Sequence, residues 1–161
     1  MLLTADIGNT GITLGAYKND KLVFTSRILT DKSKDTDGYI EALADIFKEG
    51  FASAAEFSGA VISSVVPEVT TAFSQAVEKL TGKAPLTAGE KYNGSLKVDI
   101  LPVSYLGADL IAASVGAISK YPLPCLVADL GTATKILVID KKGVSEAVQF
   151  LRGLKSPSKP F

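Results

Sequence analysis

Two stretches far apart in the chain share one pattern. Asp6-Ile7-Gly8-Asn9-Thr10 follows the apolar run Leu2-Leu3-Thr4-Ala5, and Asp129-Leu130-Gly131-Thr132-Ala133-Thr134 follows Cys125-Leu126-Val127-Ala128. Each reads as a buried strand ending in a carboxylate, then an apolar residue, a glycine and small polar residues. A second run rich in β-branched residues comes next (Ile12-Thr13-Leu14; Ile136-Leu137-Val138-Ile139). A single Gly-Asn-Thr-Gly is ordinary hairpin chemistry. Two copies predict a duplicated unit whose loops face one phosphate chain. Gly8 and Gly11 lack a Cβ, so the first loop is expected to take unusual φ/ψ values and bring its amides close to an anion. Asn9 and Thr10 can bond phosphate oxygens, and Asp6 can hold Mg²⁺ through water.

Absent residue types narrow the chemistry. The 161 residues include no histidine, which excludes a Ser-His-Asp or Cys-His nucleophile, the usual zinc sites and the commonest general base. Acid–base work must fall to a carboxylate. The single cysteine, Cys125, lies in a predicted strand and reads as a core residue rather than part of a disulfide or thiolate metal site. Seventeen basic residues balance seventeen acidic ones without a Lys/Arg cluster, so neither nucleic acid nor an anionic membrane is an expected partner. Asp6 interrupts the first apolar run too early for a signal peptide, and no run is long enough to span a bilayer. The expected location is cytoplasmic.

The intervening elements are legible from periodicity. Leu2–Ala5, Gly11–Tyr17 and Lys21–Ile28 predict three consecutive strands, an antiparallel meander turning at Lys18-Asn19-Asp20. Thr36 or Asp37 is expected to cap a helix with Tyr39, Leu43, Ile46 and Phe47 on one face, stopping at Gly50. Gly59–Val66 reads as a buried strand whose Ser63-Ser64 end either touches ligand or simply ends the strand. Pro67 opens the next helix, with Glu68 in its first turn and Val69, Phe73, Val77 and Leu80 inward. A short strand is expected near Ala84–Leu86, and Tyr92-Asn93-Gly94 is a turn, either a binding loop or an ordinary one. Gly107-Ala108-Asp109-Leu110 opens a helix to about Lys120 with Ile111, Val115 and Ile118 inward. Asp109 there suits the helix dipole, or serves as a general base.

This order predicts an α/β fold: a ribonuclease-H-like lobe with a mixed sheet flanked by helices, of the kind occurring twice in actin-like ATPases and sugar kinases. Residues 1–120 are expected to form the first lobe, and residues 121–161 the incomplete start of a second, including its first hairpin.

The motifs LLTADIGNTGITLG, VISSVVPEVT, GAD at Gly107 to Asp109 and DLGTAT at Asp129 to Thr134 together resemble the type III pantothenate kinases, in order and spacing, from residue 1 to about 143. The resemblance implies ATP-dependent phosphorylation of pantothenate to 4'-phosphopantothenate, the first committed step of coenzyme A synthesis, by a homodimer. By position, it implies that Asp6, Ile7, Gly8, Asn9, Thr10, Gly11, Ile12 and Thr13 form the first phosphate loop, with Mg²⁺ at Asp6. Gly131 and Thr132 would contact ATP, and Asp109 would take the proton from the pantothenate hydroxyl. Tyr92, Gly107, Ala108, Asp109 and Leu110 would lie along the pantothenate pocket. Asp129 would help bind a monovalent cation, K⁺ or NH₄⁺.

Three features depart from the family pattern. Leu110 stands where the family has arginine after the GAD triplet, and Lys135 stands where a second threonine is usual. The family also continues for roughly another lobe, beginning with a GGxIxPG motif. From about residue 144 the tail does not resemble the family, yet codons compatible with it, read two bases along, can encode GGAISPG. The expectation is a frameshift near Gly143 to Glu146 that shortens a kinase; the alternative is an end with an unrelated tail. Two other functions stay open: a non-catalytic nucleotide-binding or regulatory remnant, and another actin-like-fold small-molecule kinase.

Overall fold

The computed structural model describes residues 1–50, 53–89, 92–94, 96–99, 106–130 and 133–152. The chain divides into two compact units, Met1–Ala88 and Gly89–Phe161.

In the first unit, β1 (Leu2–Ile7), β2 (Gly11–Lys18) and β3 (Lys21–Leu29) form the expected antiparallel meander. Asn19 and Asp20 turn β2 into β3 with φ of 49° and 61°, the left-handed pair that a two-residue hairpin of right-twisted strands needs. After α1 (Thr36–Glu49), β4 (Gly59–Ser64) lies parallel to β1. Following α2 (Pro67–Thr81), the two-residue β5 (Leu86–Thr87) lies parallel to β4, giving the order β3-β2-β1-β4-β5. Period-two alternation sends Leu3, Ala5 and Ile7 of β1 and Ile12, Leu14 and Ala16 of β2 to one face. They share a core with Tyr39, Leu43 and Phe47 of α1 and Val69, Phe73 and Val77 of α2. Tyr39 and Phe73 meet edge to face, with ring centroids 5.4 Å apart.

The cap of α1 differs from expectation. Asp35 is the N-cap, its Oδ1 accepting from the Gly38 amide at 2.9 Å. Thr36 and Asp37 are engaged with α2 instead: Thr36 Oγ1 donates to Gln75 Oε1 at 2.8 Å, and Asp37 pairs with Lys79 at 3.4 Å. Pro67 opens α2 as read, and its end is a left-handed Gly82. The helix start is secured by Ser64, whose Oγ accepts from the Val66 amide at 3.1 Å and from Thr70 Oγ1 at 2.7 Å.

In the second unit, β6 (Lys97–Val98) precedes α3 (Ala108–Lys120), β7 (Cys125–Leu130), β8 (Ala133–Ile139) and β9 (Val144–Arg152). The last three strands form a second antiparallel meander, and β6 joins β9 in parallel, giving the order β6-β9-β8-β7. The backbone of the first tail residues thus enters this sheet as β9. Leu110, Ile111 and Ala117 of α3 share a core with Leu137 and Ile139 of β8 within this compact unit.

The inward face of α3 is also shifted. Leu110, Ile111, Ser114 and Ala117 are buried, whereas Val115 and Ile118 are only half-buried. Ser114 is tolerated in the core because its hydroxyl donates to the Leu110 carbonyl at 2.6 Å. Cys125 is half-buried rather than fully in the core.

Candidate functional site

The first loop is a tight hairpin. Ile7 and Ile12 are cross-strand partners, and the Gly8 amide donates to the Gly11 carbonyl at 3.0 Å. Thr30 holds it from the following strand's end, its Oγ1 donating to the Gly8 carbonyl at 2.6 Å and its amide to the Thr10 carbonyl at 3.4 Å. Neither Gly8 nor Gly11 has positive φ, so unusual backbone angles do not explain these glycines. At Gly11 the reason is close approach: an ideal Cβ would stand 2.6 Å from Arg27 Nε. The Arg27 guanidinium therefore lies on the loop.

Register places a polar row across this end of the sheet. Asp6 pairs with Thr13 on one side and with Ser63 on the other, and Thr13 pairs with Arg27. Partners in register share a face, so Arg27, Thr13, Asp6 and Ser63 project from the face opposite the core. Asp6, Asn9, Thr10 and Thr13 are exposed, while Ile7 and Ile12 are fully buried and serve the core. Ser63 is 7% exposed, and its Oγ has no hydrogen-bond partner. The two serines at the end of β4 thus differ: Ser64 ends the strand and starts α2, whereas Ser63 keeps an unsatisfied hydroxyl beside Asp6. A buried polar group without a partner is unusual and suits a position awaiting one.

The second hairpin carries a different device. Asp129 of β7 faces Lys135 of β8 directly across the antiparallel pair, the register position that Thr13 holds opposite Asp6. Lys135 Nζ stands 3.5 Å from Asp129 Oδ2 and also bonds Asp109 Oδ2 from the first turn of α3. The other Asp109 oxygen, Oδ1, accepts from the Leu110 amide at 2.8 Å. Lys135 and Asp109 side chains are 18% and 17% exposed, and Asp129 is 40% exposed. Burial pulls the Lys135 ammonium towards neutral, but hydrogen bonds and charge from Asp109, then Asp129, outweigh it and raise its pKa above the usual lysine value.

Of the remaining expected site residues, Gly107 is the N-cap of α3 and Ala108 its first residue. Leu110 is 1% exposed within the second core. Tyr92 is exposed on a turn whose Gly94 has a φ of 62° and packs against Val115. Gly131 and Thr132 lie outside the described residues. Among the described residues no group of three or more His, Cys, Asp and Glu could hold a metal ion, and no helix is long and apolar enough to cross a membrane. A groove between α3 and β7, of about 570 Å³ and lined by Ala113, Gly116, Tyr121, Leu126 and Ala128 among others, includes none of the expected site residues.

In these clusters Arg27 went unnoticed in the sequence, and Lys135 was noticed without its partners. Arg27 sits in an ordinary-looking strand, and only the β2–β3 register reveals that it reaches Gly11. Lys135 was visible as a departure from the family pattern, but its two carboxylate partners were not.

The family model for type III pantothenate kinase matches residues 2–155, a span that runs past residue 144 into the tail. The curated type III pantothenate kinase of an Exiguobacterium species is 36% identical over 142 residues, covering 88% of this chain and 56% of that protein. The Finegoldia magna enzyme of the same name is 34% identical over 157 residues, covering 98% of this chain and 58% of the relative. The chain therefore spans little more than half the length of these relatives. A solved Sinorhizobium meliloti protein described as a 2-dehydro-3-deoxygalactonokinase superposes with a TM-score of 0.56 at 12% identity, covering 93% of this chain and 53% of its own. A Porphyromonas gingivalis protein described as an N-acetylglucosamine kinase gives 0.51 at 11% identity, covering 96% and 48%. These likenesses establish the fold of the actin-like ATPases and sugar kinases, and the sequence matches show that the chain belongs to the type III pantothenate kinase family.

Proposed function

We propose that this chain carries the first part of a kinase site that transfers the γ-phosphoryl group of ATP to pantothenate, giving 4'-phosphopantothenate and ADP. The observation that carries the reading is the pair of Asp-ended β-hairpins, at Asp6 and Asp129, within a chain that the family matches from residue 2 to residue 155. The Gly8–Gly11 turn, with the Arg27 guanidinium over it and the exposed hydroxyls of Thr10 and Thr13, suits the phosphate oxygens of ATP. Asp6 is an exposed carboxylate at the strand end, which fits Mg²⁺ held largely by water and phosphate. Bound there, the ion would neutralise charge on the phosphates. The family resemblance assigns ATP contacts to Gly131 and Thr132 as well, and both lie outside the described residues.

Asp109 is the proton acceptor. As the pantothenate hydroxyl oxygen bonds to the γ-phosphorus and the bond to ADP breaks, the hydroxyl proton passes to the Asp109 carboxylate. Such transfer depends on positioning and charge neutralisation more than on covalent help from the protein, so a chain without histidine is equipped for it. Pantothenate lies along Tyr92 and the start of α3 at Gly107–Leu110, with Leu110 contributing from beneath rather than at the surface. A cytoplasmic homodimer is part of the same reading.

The test uses the full chain with ATP and Mg²⁺, measuring ADP with and without pantothenate. Pantothenate-dependent ADP formation, reduced about 10²–10⁴-fold by Asp109→Asn, is the expected result. ADP formation indifferent to pantothenate, or responsive to a different acceptor in a substrate panel, would point to another small-molecule kinase.

A second reading is a non-catalytic nucleotide-binding remnant. The Lys135–Asp109 bond favours it, because the ammonium competes with an acceptor hydroxyl for the same carboxylate oxygen. ATP binding without turnover would select it.

A further inference from the structure

Lys135 sits where the resemblance would put a soluble monovalent cation. Three features of its surroundings decide what that means. First, position: Asp129 and Lys135 are direct cross-strand partners, so their side chains share one face by the register of β7 and β8. Second, bonding: the ammonium engages Oδ2 of both Asp129 and Asp109, and Asp109 Oδ1 accepts from the Leu110 amide. Third, burial: the Lys135 and Asp109 side chains are both more than four-fifths buried, so screening by water between the charges is weak. The lysine ammonium has the charge and hydrogen-bond donors of NH₄⁺, on a tether.

We propose that Lys135 is the resident cation of the second hairpin, its ammonium filling the place between Asp109 and Asp129 and excluding K⁺ or NH₄⁺ from it. This deepens the kinase reading above and rests on it for the role of the hairpin. An unbridged pair of carboxylates would offer a cation two negative charges. With Lys135 in place the trio has one, and an entering ion meets a fixed like charge. The resident charge is independent of the salt around the protein. Its consequence for the chemistry is direct: charge neutralisation at Asp129 comes from the chain, and Asp109 must exchange its bond to Lys135 for a substrate hydroxyl before it takes a proton.

The test measures cation binding to the full 161-residue chain, without ATP or pantothenate, so its outcome is independent of whether the chain is a kinase. Melting midpoints are compared in potassium, ammonium and tetramethylammonium chlorides at one ionic strength. The wild type is expected to show the same midpoint in all three. Lys135→Thr, which opens the place, is expected to melt about 3 °C higher in potassium or ammonium than in tetramethylammonium, the shift for an ion at roughly ten times its dissociation constant. Lys135→Met, which keeps most of the stem, serves if the threonine variant does not fold. Thallium-205 resonance of Tl⁺ added to the wild type provides an arm that needs no variant: an unbroadened line is expected. A wild-type midpoint specific to K⁺ or NH₄⁺, a Tl⁺ line broadened and then sharpened by K⁺, or a folded variant with no cation response would each overturn the proposal. If the cation results hold while pantothenate is not phosphorylated, only the kinase reading fails.

Discussion

The Arg27 guanidinium occupies the space that a side chain at position 11 would need: an ideal Cβ on Gly11 would lie 2.6 Å from Nε and 2.9 Å from Nη2. Those atoms are the far end of a flexible, exposed side chain, so Gly11→Ala is expected to cost less than about 1 kcal/mol while pushing Arg27 off the loop. Arg27→Ala should weaken ATP binding about tenfold or more, as loss of a charge-assisted bond does. Its unfolding free energy should stay within about 0.5 kcal/mol of wild type. Calorimetric titration with ATP and urea unfolding check the two halves, and unchanged ATP affinity would remove Arg27 from the site.

Restoring the family's arginine at position 110 is expected to unfold rather than activate. Leu110 is 1% exposed among Ile111, Leu137 and Ile139. Leu110→Arg would bury a cation without a partner and should cost about 3 kcal/mol or more. Leu110→Ala should cost about 2–5 kcal/mol through the cavity it leaves. Urea unfolding measures both, and an arginine variant as stable as wild type would mean the side chain has a route to solvent.

Tyr39 provides a test by pH. Its hydroxyl donates to the Asp31 carbonyl at 2.8 Å from within the first core. Burial raises the phenol's pKa above its ordinary value of 10.0, and the negative charge of Asp31 adds to the shift. A raised folded-state pKa contributes stability that is complete below the unfolded value and lost as pH climbs through the folded one. Wild-type stability should therefore fall, as pH climbs past about 10, more steeply than that of Tyr39→Phe. At neutral pH the same substitution should cost about 1 kcal/mol, because the Asp31 carbonyl loses its donor. Parallel alkaline limbs would contradict the assignment.

The cap of α1 distinguishes neighbours that look alike in sequence. Asp35→Ala should destabilise the first unit by about 1 kcal/mol, the typical value of an N-cap side chain. Asp37→Ala, which removes an exposed pair with Lys79 and an exposed first-turn charge, should cost about 0.5 kcal/mol, less than the cap. Thermal unfolding of the two variants tests the order, and equal losses would contradict the cap.

Much of the fold was legible because its signals are local. Apolar runs marked β1 and β4, a run rich in β-branched residues marked β2, and helical spacing marked the buried faces of α1 and α2, since each pattern is written along a single element. The echo of Asp6 at Asp129 was likewise visible, and both residues end the first strand of an antiparallel meander. The local signal failed where two adjacent choices were nearly equivalent. In α3 the stripes through Ile111 and through Leu110 are both apolar, and contact with Leu137 and Ile139 selected the arrangement observed. At the start of α1, Asp35, Thr36 and Asp37 are all competent caps, and Gln75 and Lys79 of α2 drew the latter two away.

By itself, the sequence determined the order of strands and helices, which faces are apolar, where the two Asp-ended loops fall and which family the chain belongs to. Tertiary structure alone decided which charges meet: Arg27 over Gly11, and Lys135 between Asp129 and Asp109, the latter 26 residues away along the chain. Periodicity along a strand says which way a side chain points, because alternation is a property of one backbone. Which group stands opposite it depends on the register of the neighbouring strand and the packing of the next helix, and those are set by the assembled core.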